Sequence, residues 1–284
     1  MSIAPDWRAR NLRTMAAAAV ALCLATAGQA AAQTGPPVRL GAGEAASDLA
    51  QQISNPVANL ISVPFQNNFD YGGGSGNALR YTLNVQPVIT FSLNEEWNLI
   101  TRTIVPFSHV ERVLPDDRTG IGDVVQSFFL SPAKLTESGI TWGVGPVFLY
   151  PTATESGLGA RQWGAGPTGV LLRQSGGWLY GMLANHLWGL GGEGPTRPQV
   201  NATFLQPFIT YTFPTQMTLF LNTESTYDWE RRQWTVPVIA GVNQLVTIGA
   251  QKVQLGAGLR YFAERPEGGP DWGLRFSATL VFPR

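Results

Sequence analysis

Residues 80–91 read RYTLNVQPVITF, and their alternation decides the fold class. Tyr81, Leu83, Val85, Pro87, Ile89 and Phe91 make one face. Arg80, Thr82, Asn84, Gln86 and Thr90 make most of the other, and only Val88 breaks the pattern. A period of two predicts a strand with one face in an apolar medium and the other wet. Two later segments repeat it. Val253, Leu255, Ala257, Leu259 and Tyr261 oppose Lys252, Gln254, Gly256, Gly258 and Arg260. Trp272, Leu274, Phe276, Ala278, Leu280 and Phe282 oppose Gly273, Arg275, Ser277 and Thr279.

A soluble β-sandwich gives the same alternation, so three further features decide between the two. The apolar faces run unbroken for five or six residues on one side, whereas strands of soluble proteins average about 5–6 residues in all. Aromatics collect near strand ends: Phe91, Trp97, Phe107, Tyr150, Trp163, Trp178, Trp188, Phe213, Trp234 and Trp272. Amphipathic rings are stable at headgroup level, which gives membrane barrels such girdles. The chain also ends on an amphipathic strand with a nearly terminal aromatic, Phe282. These features predict an all-β fold, a closed antiparallel transmembrane β-barrel of about twelve strands with a short N-terminal helix.

The expected strands are 58–69, 79–91, 96–107, 122–130, 139–150, 161–173, 177–188, 199–213, 216–226, 233–246, 251–263 and 271–282. Connections at 94–96, 174–176 and 214–215 are tight, while 108–121, 151–160 and 189–198 are longer. Short periplasmic turns and long outer loops account for that asymmetry and put both termini in the periplasm. The turn 131–138 is longer than this rule expects. Pro87, Pro106, Pro146, Pro167, Pro207 and Pro237 lie inside strands; each deletes a ladder donor, which predicts bulges or bends.

Ahead of the barrel, Arg8, Arg10 and Arg13 precede an apolar run from Met15 to Ala27, and Ala30-Ala31-Ala32 fits a signal-peptidase site. The run is too short for a membrane-spanning helix, which takes about 20 residues. Residues 1–32 therefore read as a signal peptide cleaved after Ala32, or alternatively after Ala30. Residues 33–57 read as a periplasmic leader and 58–284 as the outer-membrane barrel. Cys23 is removed with the signal, so no disulfide supports the remaining chain. That chain carries 16 Lys and Arg against 18 Asp and Glu, a net charge of −2. Such a balance excludes a nucleic-acid partner, which needs a concentrated basic face. Ala45–Asn55 is helical in character, with Ser47 as cap and Asn55-Pro56 as stop. It is expected at the periplasmic mouth or in the barrel opening; the alternative is a frayed leader on the membrane surface.

If the apolar faces meet lipid, the polar faces line the lumen. The lumen candidates are Arg80, Asn84, Gln86, Arg102, Gln206, Asn222, Glu224, Gln254, Arg260 and Arg275. In one reading they form a channel in which the arginines and Glu224 bias selectivity. In the other they pair across a filled interior, as a lumen of about twelve strands permits. No catalytic residue, cofactor or metal is expected. Ser108 and His109 are adjacent, so on a strand they point to opposite faces. With only His109 and His186 and no mature cysteine, a transition-metal site is not expected. Asp116, Asp117 and Asp123 read as a solvated acidic loop rather than a calcium site.

The segments NPVANLISVPFQNN (55–68), QPV (86–88), WNLITRTIVP (97–106) and GIGD (120–123) together resemble a bacterial family of outer-membrane barrels labelled transporter-like, or meta-pathway of phenol degradation. The resemblance runs from about Ala45 to Arg284. It implies passage of small, often aromatic or hydrophobic, solutes across the outer membrane and carries over no catalytic residue. The expected partners are outer-membrane lipid, small-molecule solutes and, through the C-terminal strand, the barrel-assembly machinery. The alternative function is a non-conducting structural or surface-interaction barrel.

Overall fold

Fifteen strands form one sheet that closes on itself in the computed structural model, which describes residues 40–74, 78–111, 117–192 and 199–282. In chain order they are β1 (Ile61–Gly73), β2 (Ala78–Val85), β3 (Val88–Ser92), β4 (Trp97–Val110), β5 (Arg118–Ile121), β6 (Val124–Pro132), β7 (Ile140–Tyr150), β8 (Gln162–Ser175), β9 (Trp178–Gly192), β10 (Asn201–Thr212), β11 (Met217–Thr223), β12 (Ser225–Asp228), β13 (Gln233–Ile248), β14 (Gln251–Glu264) and β15 (Trp272–Phe282), preceded by helix α1 (Leu40–Ile53). The pairs β2/β3, β5/β6 and β11/β12 are halves of single wall strands, interrupted at Gln86-Pro87, Gly122-Asp123 and Glu224, so the closed antiparallel wall has twelve strands. The expected signal peptide, with Cys23, lies outside the described residues.

Closure is made by β15 on β1, from Ile61↔Phe282 to Tyr71↔Trp272, and by β9 on β10, from Asn201↔Trp188 to Tyr211↔Trp178. Among the described residues each wall strand has a hydrogen-bonded neighbour on both sides, so the sheet presents no open edge. Turns at one end are short: 176–177, 249–250, 93–96 and 213–216. The Ile61–Phe282 pair lies at this end. The other end carries the longer connections 151–161 and 265–271.

Register partners share a face, so the pairings separate the wall into two chemistries. The outer face is apolar: Leu171 is 59 % exposed, Leu259 63 %, Tyr261 65 % and Leu190 69 %. Aromatic pairs band both ends of it. At the short-turn end Trp97 meets Trp142 (ring centroids 5.8 Å apart) and Trp178 meets Tyr211 (4.8 Å). At the long-loop end Tyr71 stacks on Trp272 (5.0 Å), Tyr150 meets Trp163 (5.5 Å) and Tyr227 meets Trp234 (4.9 Å). The outward-facing Asn67 is satisfied by the Tyr81 hydroxyl, which donates to its Oδ1 at 2.8 Å.

Several element boundaries depart from the sequence reading; β1 runs on to Gly73 and β9 to Gly192, and three further departures have a local cause. Helix α1 is already formed at Leu40, so Ser47 lies inside it rather than capping it; alanine is the strongest helix former, and positions 42, 45 and 46 carry the helix back past that point. The first strand begins at Ile61 rather than 58. Asn55 Oδ1 accepts the Val57 N–H (2.9 Å) and Asn55 O accepts the Ala58 N–H (3.2 Å), which turns 55–60 into the barrel before pairing starts. The expected loop 108–121 is partly strand, because β4 extends to Val110 and pairs with β5 from Phe107↔Ile121 to Val110↔Arg118. The long turn 133–139 is stapled by Thr136, whose hydroxyl accepts the Ile140 N–H at 2.9 Å. Of the six prolines, Pro87 separates β2 from β3 and Pro237 sits at a bulge with Val236, while Pro146 and Pro167 face each other within β7 and β8.

Candidate functional site

The interior is divided between apolar packing and a polar network. Val57, Ile100, Phe129, Val170, Leu172, Leu179 and Leu183 form a buried cluster, with Val88, Phe204 and Phe208 packed against it. Val57 comes from the segment after α1, so the leader contributes directly to the barrel core. A second cluster joins Ala58, Leu60 and Val281, with Leu49 and Ile53 of the helix against it. Gln51 ties the helix to the β8–β9 turn: its Nε2 donates to Gly176 O (2.7 Å) and Trp178 O (3.2 Å), and its Oε1 accepts from Gln174 Nε2 (2.7 Å). Thr90 Oγ1 donates to Ala58 O at 2.9 Å. The last turns of the helix, with Leu49, Gln51 and Ile53, and residues 54–60 thus fold into the short-turn mouth. Of the positions open to this helix from its sequence, the structure selects the barrel opening over a frayed leader.

Toward the middle, charged side chains from separate strands meet in a belt. Glu224 accepts two parallel bonds from Arg275, at 2.7 and 2.8 Å, and lies 4.0 Å from Arg260 Nη1. Asn68 Oδ1 accepts from Arg260 Nη1 (2.5 Å) and from Arg275 Nε (2.7 Å). Arg260 Nε lies 3.0 Å from Asp70 Oδ1, a charge contact in which the N–H is not aimed at the oxygen. Forked arginine–carboxylate geometry, as in the Arg275–Glu224 pair, is both strong and orienting. Glu224 faces inward by simple alternation with Asn222 and Thr226, since the register against β10 and β13 runs unshifted across the break between β11 and β12, and its N–H donates to Pro237 O at 3.3 Å.

The structure brings Glu224, Arg260 and Arg275 together. Asn68 and Asp70, absent from the lumen candidates, complete their belt. They follow Ser62, Pro64 and Gln66 at every second position of β1, the same period that marks the other strands, and Asp70 lies one residue beyond the end expected for that strand. Arg80 pairs in register with Asp70 but is exposed, and Asn84 is half-buried opposite Gln66. Gln86 is buried and links two neighbours, donating to Gln66 Oε1 (2.8 Å) and accepting from Arg102 Nη2 (2.9 Å). Arg102, Gln206, Asn222 and Gln254 line a cavity of about 200 Å³ between the belt and the 53–60 segment. Phe208, Phe220 and Val88 give that cavity an apolar flank.

At the long-loop end, the connection 151–161 lies against the inner face of the wall. Gly120 and Gly122 alternate with outward Thr119 and Ile121, and a side chain at Gly120 would collide with Thr154 and Leu158. Asp123 anchors this loop, its carboxylate accepting the N–H of Ala153 (3.0 Å) and of Arg161 (2.8 Å). Asp123 is therefore a buried loop anchor, not part of a solvated acidic loop; Asp116 lies outside the described residues. Among the described residues no group of acidic, histidine or cysteine side chains has the arrangement of a metal site. Ser108 and His109 point to opposite faces of β4, Ser108 toward Thr82 (3.4 Å) and His109 toward Thr119 (2.6 Å).

These features define a class: the chain has the fold of outer-membrane β-barrels. It is similar to an outer membrane channel from Pseudomonas putida F1, with a TM-score of 0.60 at 16 % identity over 78 % of this chain and 94 % of that one. More distant likenesses are to the outer membrane phospholipase dimer of Salmonella typhi (TM-score 0.44, 12 % identity, 83 % of this chain and 96 % of that one) and to the β domain of the Bordetella autotransporter BrkA (0.42, 12 %, 78 % and 100 %). No protein-family model and no curated protein sequence matches the chain.

Proposed function

We propose that this protein is an outer-membrane channel for small molecules. The observation that carries the reading is the pairing of opposite surfaces: an apolar outer wall banded at both ends by aromatic pairs encloses a polar belt and a cavity. An outer face of this kind suits lipid, since soluble monomers rarely expose large contiguous apolar patches. The short turns and the N-terminal segment then face the periplasm, and the 151–161 connection faces outward. The similar fold of a protein described as an outer membrane channel supports the same assignment. The solutes in this reading are small and carry apolar surface, the C-terminal strand is what the assembly machinery would read, and the barrel is not catalytic.

Two observations favour a second reading, a closed structural barrel: the short-turn mouth is occupied by residues 54–60, and Arg260 and Arg275 are ion-paired. Planar-bilayer recording and liposome swelling on the purified protein separate the two. The channel reading expects stepwise conductance and swelling with small solutes. An inserted protein with neither property would be the structural barrel.

A further inference from the structure

The belt holds more positive charge than it neutralises. Three guanidinium groups, Arg102, Arg260 and Arg275, meet two carboxylates, Asp70 and Glu224. Glu224 is engaged by both forks of Arg275, and Arg260 is shared between Asp70, Asn68 and Glu224. Arg102 is left with a neutral partner, the Gln86 amide oxygen, and acts on Glu224 only at longer range. An excess cation inside a barrel is unfavourable until an anion joins it.

The cavity beside Arg102 has the remaining features of a built site. Gln254, 6 % exposed, lines it with an Nε2 that has no hydrogen-bond partner, and Thr210, 7 % exposed, does so with an unpartnered hydroxyl. Asn222 Oδ1 is likewise buried and unpartnered on the same wall. Buried polar groups without partners are uncommon and mark places where a ligand or water completes the bonding. Phe208 and Phe220 lie on the same stretch of wall as Asn222 and Thr210, paired with them in register, and give it an apolar surface across from Arg102, whose own register partner is Val88. At about 200 Å³ the space is smaller than the roughly 300–1,000 Å³ that drug-sized ligands occupy.

We propose that this cavity binds a small monocarboxylate with an apolar body, its carboxylate on Arg102, its polar substituents toward Gln254, Thr210 and Asn222, and its apolar part against Phe208 and Phe220. As a stopping point for a permeating solute the site rests on the channel reading; its binding chemistry does not.

The test uses the full mature protein in detergent and titrates hexanoate and its uncharged counterpart hexanamide by calorimetry. Hexanoate is expected to bind saturably at about one per chain, with hexanamide at least tenfold weaker. R102Q should remove that preference, and R102K should keep part of it. Equal binding of the two probes, no binding of hexanoate, or an R102Q protein that binds as before would overturn the proposal. If R102Q fails to fold, R102K and the wild-type ratio of hexanoate to hexanamide decide: a preference for hexanoate that R102K reduces supports the site, and equal binding of the two probes to the wild type overturns it. Conductance recorded on the same preparation keeps the two readings apart. Hexanoate binding without conductance supports the site and defeats the channel, whereas conductance without binding defeats the site alone.

Discussion

Glu224 sits between two guanidinium groups inside the barrel, and its removal exposes what the belt contributes. The E224Q variant keeps the shape but leaves Arg275 and Arg260 short of one negative charge. Breaking a buried pair by removing one partner typically costs about 3–5 kcal/mol, because an uncompensated charge remains. A loss toward the lower end is expected, since Glu224 is partly open to the interior (22 %). Denaturant unfolding in micelles should show it, and an unchanged midpoint would mean that the belt adds nothing to stability. The reciprocal R275M/E224L double variant should lose less than E224Q alone.

Asp123 offers a second residue-level test with a local readout. Its carboxylate accepts two backbone N–H groups of the 151–161 connection, and bonds to a charged group contribute about 1.5–3 kcal/mol each. In D123A the connection should come away from the inner wall. Trypsin should then cut after Arg161 far faster than in the parent protein, and equal cleavage rates would show the loop to be held by other contacts.

The elements most legible in the sequence are the long strands, because one period serves all of them. RYTLNVQPVITF specifies both a strand and its faces, and Gln86 and Arg102 emerge on the inner side as the alternation requires. What alternation does not encode is position along the barrel axis and pairing across it. Asp70 falls near the end of β1 and meets Arg260 from β14, 190 residues away, so no local pattern links them. The inward course of residues 54–60 is equally hidden, because it depends on the Asn55 side chain and on an apolar pocket built by distant strands. Val57→Asp tests that element. A carboxylate placed among Ile100, Phe129 and Val170 should expel the segment and raise conductance while the barrel stays closed. Unchanged conductance would show that solutes bypass the segment.

For the whole molecule, the medium outside the wall is the governing variable. Leu259 is 63 % exposed near the middle of β14. In water Leu259→Arg would be close to neutral, whereas an arginine on the lipid face near the midplane costs about 2–4 kcal/mol. Reversible folding into lipid vesicles should therefore register a loss that folding into a soluble form would not. The most direct measurement is the migration of the protein on a cold SDS gel, taken from purified outer membranes of an expressing Gram-negative host. A closed barrel resists the detergent until heated, so the expected result is a band in that fraction whose mobility differs between unboiled and boiled samples. A protein recovered in the soluble periplasmic fraction, with identical mobility in both samples, would contradict the membrane barrel.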